Sequence, residues 1–435
     1  MSRDVQIVPV NDAPVLSTIE VAPVFYTEND SPIGITGNLA INDLDDTLID
    51  TATITIGSGF ASGEDILSFI PQFGITGNFD PVTGQLNLSG QALLTEYESV
   101  LHSVTYQNSS DNPSTATRTI DFVVNDGNIS SNMLSRDIEF TTVNDAPVLS
   151  AIETAPASFT ENDPPIIITN SLSISDVDDT TIDSAVVSIN SNFVSGEDVL
   201  SFLPQFGITG SFDTVTGDLT LTGQALLTEY QTVLRSVTYN NTADNPSGLT
   251  RTIDFSINDG DNDSNLLSRD IQITPVNDAP VLSTIENAPA FYIENGSPVG
   301  ITGNLSVNDI DDTQIDSATI TISSGFAPGE DVLSFTPQFG INGSFDSATG
   351  QLNLSGQALL SEYETVLHSV SYQNSSDDPS AANRTIEFVV NDGTDDSNPR
   401  SRDIEFTAVN DAPILSTIEA APAFYTENGL SLIHI

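Results

Sequence analysis

The pentapeptide Val-Asn-Asp-Ala-Pro begins at Val10, Val143, Val276 and Val409, each time 133 residues further on. Everything between stays in register. Gln-Phe-Gly-Ile recurs at Gln72, Gln205 and Gln338, and Gly-Gln-Ala-Leu-Leu at Gly90, Gly223 and Gly356. Copies that accept no insertion are tandem versions of one folded unit. A period this long exceeds a solenoid repeat and suits a self-sufficient domain. The expected organisation is the end of a preceding repeat at 1–10, full repeats at 11–143, 144–276 and 277–409, and the truncated start of a fourth at 410–435. Ser2-Arg3-Asp4-Val5 matches Ser135 to Ile138. Phe424 to Gly429 matches Phe291 to Gly296, and the match stops at Leu430. Residues 430–435 look like translated sequencing adapter, so the expectation is an internal fragment of a longer protein with an artefactual tail.

Within a copy, period-two alternation dominates. Ile120, Phe122 and Val124 fall on one face of the run from Arg118 to Val124, and Thr51 to Ile56 alternates likewise, as half-buried strands do. Gly84 to Leu88, Leu39 to Ile41 and Ser135 to Phe140 read as further strands. Asn125-Asp126-Gly127, Pro81 to Gly84 and Ser62 to Asp65 read as turns. Gln91 to Glu98 predicts one or two helical turns before a strand from Val100 to Gln107. Many short strands predict an all-β fold, an antiparallel Greek-key β-sandwich of the cadherin or immunoglobulin kind in each copy.

Charge narrows the function. The chain holds 61 acidic residues against 9 arginines and no lysine, a net charge of −52. That excludes a nucleic-acid footprint, and it repels an anionic membrane. Self-repulsion penalises the compact state unless cations intervene. Cysteine is absent, so no disulfide staples the fold. No stretch reaches the roughly 20 apolar residues of a membrane span.

The acid is clustered. Asp43, Asp45 and Asp46 fill one loop; Asp176, Asp178 and Asp179 fill its second copy, and Asp309, Asp311 and Asp312 its third. Calcium takes six to eight oxygen ligands in a flexible shell, which suits such loops, although the pattern is not an EF-hand. In a seven-stranded sandwich these loops share the end where the chain enters with the Asn-Asp-Gly turns of Asp126, Asp259 and Asp392. The linkers bring Asp12, Asp145, Asp278 and Asp411 to the same place. Glu28, Glu161 and Glu294 lie at the opposite end, where each would approach the next copy. All nineteen are candidate Ca2+ ligands, against a bland reading as solvated turns. Glu64-Asp65 reads as solvated.

With these residues in view, the chain resembles the cadherin-like tandem repeats of large bacterial surface proteins and adhesins. Val143-Asn144-Asp145-Ala146-Pro147 looks like that family's linker, Thr160-Glu161-Asn162 and Asp176-Val177-Asp178 like its calcium motifs, and Asn258-Asp259-Gly260 like the turn before its last strand. The resemblance implies an extracellular, calcium-dependent adhesive or stalk protein whose partners are calcium and its own neighbouring repeats. Two readings follow. In one the array is the structural extender of a cell-surface adhesin. In the other it grips a surface protein or polysaccharide directly through exposed loops. An enzyme is not expected: His102 and His368 are replaced by Arg235 in the second copy, and no Ser or Thr has a histidine to activate it.

Overall fold

The computed structural model describes residues 3, 4 and 6–415; the expected fourth-repeat start beyond Leu415 and the tail at 430–435 lie outside them. Contacts divide the chain into two compact units. The first holds residues 1–159, 163–241 and 249–273; the second holds 160–162, 242–248 and 274–435.

The first copy shows how the sequence builds the fold. Its strands are β1 (Val15–Ser17), β2 (Val24–Thr27), β3 (Ile33–Gly34), β4 (Ala40–Asn42), β5 (Leu48–Ser58), β6 (Asp65–Ser68), β7 (Thr76–Asp80) and β8 (Gln85–Leu93). Helix α1 (Leu94–His102) follows, then β9 (Thr105–Asn108), β10 (Arg118–Asn125) and β11 (Leu134–Thr141). Three sheets result: β2-β11-β10-β5-β8-β7, β3-β9-β6 and the pair β1-β4. Strand order thus jumps along the chain, as in a Greek key. All pairings are antiparallel except β2 with β11, which run parallel from Val24↔Ile138 to Thr27↔Thr141. The body of the second copy, also in the first unit, repeats the pattern, and the third copy does so in the second unit.

Alternation decides the packing. Ile54, Ile56, Ile120, Phe122, Val124, Leu86 and Leu88 are buried on the inner face of the large sheet, opposite Leu67 and Tyr106 of the small one. Each such side chain contributes roughly 1.5–3 kcal/mol by leaving water. The helix closes the core with Tyr97, Val100 and Leu101. This corrects the expected strand from Val100: the helix continues to His102, because the three buried residues share one helical face, and strand resumes only at Thr105.

A second correction concerns Asp65. It is fully buried, not solvated. Its Oδ2 accepts from Arg118 Nε at 3.2 Å and from Ala61 N at 2.7 Å. Its Oδ1 accepts from Asn108 Nδ2 at 2.7 Å and from the Tyr106 hydroxyl. Arg118, equally buried, donates through Nη1 to the carbonyls of Ser114 and Ala116, both at 2.6 Å, and lies 4.3 Å over the Phe140 ring. Asp198 with Arg251 and Asp331 with Arg384 repeat this buried ion pair.

A shallower pair braces the outer loops. Burial alone would raise the Glu20 carboxyl, but hydrogen bonds from Thr36 Oγ1 and Gly37 N, with Arg136 nearby, pull it down to about 2. Glu153 falls to about 2 in the same setting. A carboxylate depressed in the folded state adds stability above its unfolded pKa and loses it as pH falls toward the folded value. Stability should therefore decline between about pH 4.5, the ordinary value, and pH 2. In Glu20→Gln the slope of unfolding free energy against pH should flatten over that window; an unchanged slope would disprove the assignment.

Candidate metal centre

Each acidic loop closes on itself. Asp43 Oδ1 accepts from Asp46 N at 3.1 Å and from Asp45 N at 3.2 Å; Asp176 and Asp309 hold their loops in the same way. The loop then grips the linker. Asp178 Oδ2 accepts from Asp145 N at 3.3 Å, Asp311 Oδ2 from Asp278 N at 3.1 Å, and Asp45 Oδ1 from Asp12 N at 3.2 Å.

The far end of the preceding copy meets the same linker. Glu28 is buried; its Oε2 accepts from Val143 N at 2.9 Å, and Asn112 donates to the Val177 carbonyl at 2.8 Å. These bonds lie within the first unit. Within the second, Glu161 Oε2 accepts from Val276 N at 2.8 Å and Asn245 donates to the Ile310 carbonyl at 2.9 Å. Glu294 Oε2 accepts from Val409 N at 2.7 Å. Asp411 is exposed.

Several of these carboxylates keep one oxygen that is buried and without a hydrogen-bond donor among the described residues: Glu28 Oε1, Asp145 Oδ2, Asp176 Oδ2 and Asp178 Oδ1. The matching atoms recur as Glu161 Oε1, Asp278 Oδ2, Asp309 Oδ2 and Asp311 Oδ1. In the first copy Asp43 Oδ2 alone of its acidic loop is in this state. A buried acceptor without a donor carries the full cost of desolvation. The acids also disturb one another. Burial, with hydrogen bonding and repulsion from Asp311, raises Asp309 to about 6 despite opposing backbone hydrogen bonds. Burial and the Asp311 and Asp244 charges raise Asp278 as well. Carboxylate oxygens of Asp43, Asp46 and Asp126, and likewise of Asp309, Asp311 and Asp312, lie within 4.8 Å of one another. Burial and neighbouring carboxylates also raise Asp179 and Asp312. An all-oxygen donor set suits a hard divalent cation, so the residues fit calcium.

The Asn-Asp-Gly aspartates have different surroundings. Asp126 Oδ1 accepts from Asn128 N and Ile129 N, and its Oδ2 from Asn11 Nδ2 at 2.9 Å. Asp259 and Asp392 hold Asn144 and Asn277 at 3.0 Å. Burial would raise these three acids, but the hydrogen bonds prevail and lower them. They fasten the linker asparagine to the copy it enters, a role that turn chemistry alone did not reveal. Asp244 was also missed: it lies in a second-copy loop and, with Asp278, Ala279, Val281 and Asp309, lines a cavity of about 360 Å³. The His/Arg alternation resolves as a shared contact. His102 Nε2 and Arg235 Nε reach the carbonyls of Leu39 and Leu172, equivalent atoms, at 2.8 Å.

No family model matches the chain. The chain resembles a halomucin. It is 27% identical to Halomucin of Haloquadratum walsbyi (strain DSM 16790 / HBSQ001) over 384 residues, which make up 80% of this chain and 4% of that protein. Its solved neighbours include cadherin ectodomains. Mouse cadherin-23 EC22-24 matches with a TM-score of 0.32 and 13% identity, covering 92% of this chain and all of that one. Protocadherin gamma B2 domains 1-5 match with a TM-score of 0.35 and 15% identity, covering 93% and 62%. The β-sandwich of each copy is defined by the sheets described above. No helix among the described residues is long and apolar enough to cross a membrane.

Proposed function

We propose that this chain is a calcium-stiffened extracellular repeat array, without enzymatic activity, that serves as the extender of a cell-surface adhesin. The supporting observation is the recurring set of donorless buried carboxylate oxygens where one copy's Glu-bearing turn meets the next copy's linker and acidic loop. Without a cation these oxygens destabilise each junction. With one, repulsion becomes ligation and the copies are held in a fixed relation. Within this reading Glu28, Asp145, Asp176 and Asp178 hold the ion of the first junction, Glu161, Asp278, Asp309 and Asp311 that of the second, and Asp12, Asp43, Asp45 and Glu294 serve the outer ones. Asp46, Asp179 and Asp312 add charge beside them, and Asp126, Asp259 and Asp392 position the linker.

The test is calcium titration of the whole chain, followed by calorimetry and small-angle scattering. A ligand that binds only the folded state stabilises it by about 2.7 kcal/mol at a concentration a hundred times its dissociation constant. The expected result is a higher melting temperature with calcium and a shorter, more variable particle after chelation. Equal melting curves and equal particle lengths in both conditions would refute the proposal.

A further inference from the structure

The loop between β9 and β10, residues 109–117, forms an arm that recurs at 242–250 and 375–383. In the first copy the core fixes it. Arg118 donates to the Ser114 and Ala116 carbonyls at its base, both at 2.6 Å. Asn108 Oδ1 accepts from Ser110 N at 2.9 Å, and Pro113 is buried. A residue that precedes proline is steered to extended backbone. Asn112 is therefore carried on a preformed support.

Its side chain reaches the copy that follows. Asn112 Nδ2 donates to the Val177 carbonyl at 2.8 Å, in the middle of the next acidic loop. Asn245 Nδ2 does the same to Ile310 at 2.9 Å. The first bond lies within the first compact unit and the second within the other, so one contact is made twice. The apolar residue of the loop is covered as well. Val177 is 54% and Ile310 55% exposed, whereas Leu44, against which no arm lies among the described residues, is 87% exposed.

The third copy breaks the pattern. Asp378 stands where the others carry asparagine. The arm keeps its form: Asp378 N donates to Ser376 Oγ at 3.2 Å, as Asn112 N does to Ser110 Oγ. Arg384 again donates to two arm carbonyls, those of Ser380 and Ala382. The chemistry at the tip changes. An asparagine amide has two N–H donors, whereas an ionised carboxylate only accepts. Facing a carbonyl within an acidic loop, it repels.

We propose that Asn112 and Asn245 are positioning residues, latches that hold the following acidic loop without a metal, and that Asp378 is the same arm unlatched. A neutral amide suits so acidic an interface, because it donates without needing a counter-charge. The array then has junctions of two grades. Those with asparagine stay partly closed when calcium falls, and one with aspartate is left to the cation; this consequence rests on the calcium reading.

Spin-label distances in the full chain test the latch. The sequence has no cysteine, so Thr95→Cys and Thr228→Cys, exposed on the helices of the first and second copies, take one label each. In chelator, Asn112→Ala and Asn112→Asp should each lower the ratio of narrow, closed distances to broad ones by roughly twofold to tenfold, the effect of one hydrogen bond of ordinary net strength. Melting should match the parent, since the third copy builds this arm with aspartate. Variants whose distances equal the parent's in chelator overturn the proposal. So does a first copy that melts earlier, which would make Asn112 a support of its own fold. Calcium should restore the closed distances of the aspartate variant. If calcium narrows no distribution, the parent's included, while the variants still open in chelator, the latch stands and the calcium reading fails.

Discussion

Replacing Asp65 with alanine should destabilise the first copy by about 3–5 kcal/mol, the usual cost of leaving one partner of a buried ion pair uncompensated. The carboxylate accepts hydrogen bonds from Arg118, Ala61, Asn108 and Tyr106, so its loss leaves a fully buried guanidinium without its counter-ion. Calorimetry of the whole chain should show one transition moving to lower temperature while the other copies, with their own pairs at Asp198 and Asp331, keep theirs. The double variant Asp65→Leu, Arg118→Met should recover much of the loss, because an apolar pair of similar bulk often matches a buried ion pair. A single alanine variant that melts like the parent would mean that the network contributes nothing.

Asp309→Asn should act in opposite directions with and without calcium. Burial and Asp311 hold Asp309 at about 6, so its ionised form is unfavourable in the folded state at neutral pH. An acid raised on folding loses stability as pH climbs from its unfolded to its folded value and carries the full cost above it. The amide removes that cost, so in chelator the variant should melt higher than the parent. It also removes a charged oxygen from the proposed site. Its calcium-induced gain should therefore fall, and its calcium dissociation constant rise about tenfold for each 1.4 kcal/mol lost. Matched responses of variant and parent would remove Asp309 from the metal site.

Much of this architecture is legible in the sequence. Ile120, Phe122 and Val124 announced a strand because period two survives whatever the strand pairs with, and the acidic loops announced themselves by composition. Asp65 did not. It follows Ser-Gly-Glu, which reads as a solvated turn, and its partner lies 53 residues further on. Only the pairing of β6 with β9, which sets Asp65 opposite Asn108, makes it a core residue. Val100 was misread for a related reason: its run is apolar enough for either state, and the helix wins because Tyr97, Val100 and Leu101 cover the same part of the core. The donorless oxygens lie beyond any sequence argument, since a loop's composition gives its charge and not its hydrogen-bond balance.

The parallel alignment of β2 with β11 has a mechanical consequence. These strands lie near the two ends of one copy, and four residue pairs join them. Tension applied through the linkers would drag the strands past each other, so the rungs must fail together instead of unzipping singly. The third copy repeats the clamp with Ala290–Ile293 against Arg400–Thr407. Under such tension the first and third copies would resist at their terminal strands.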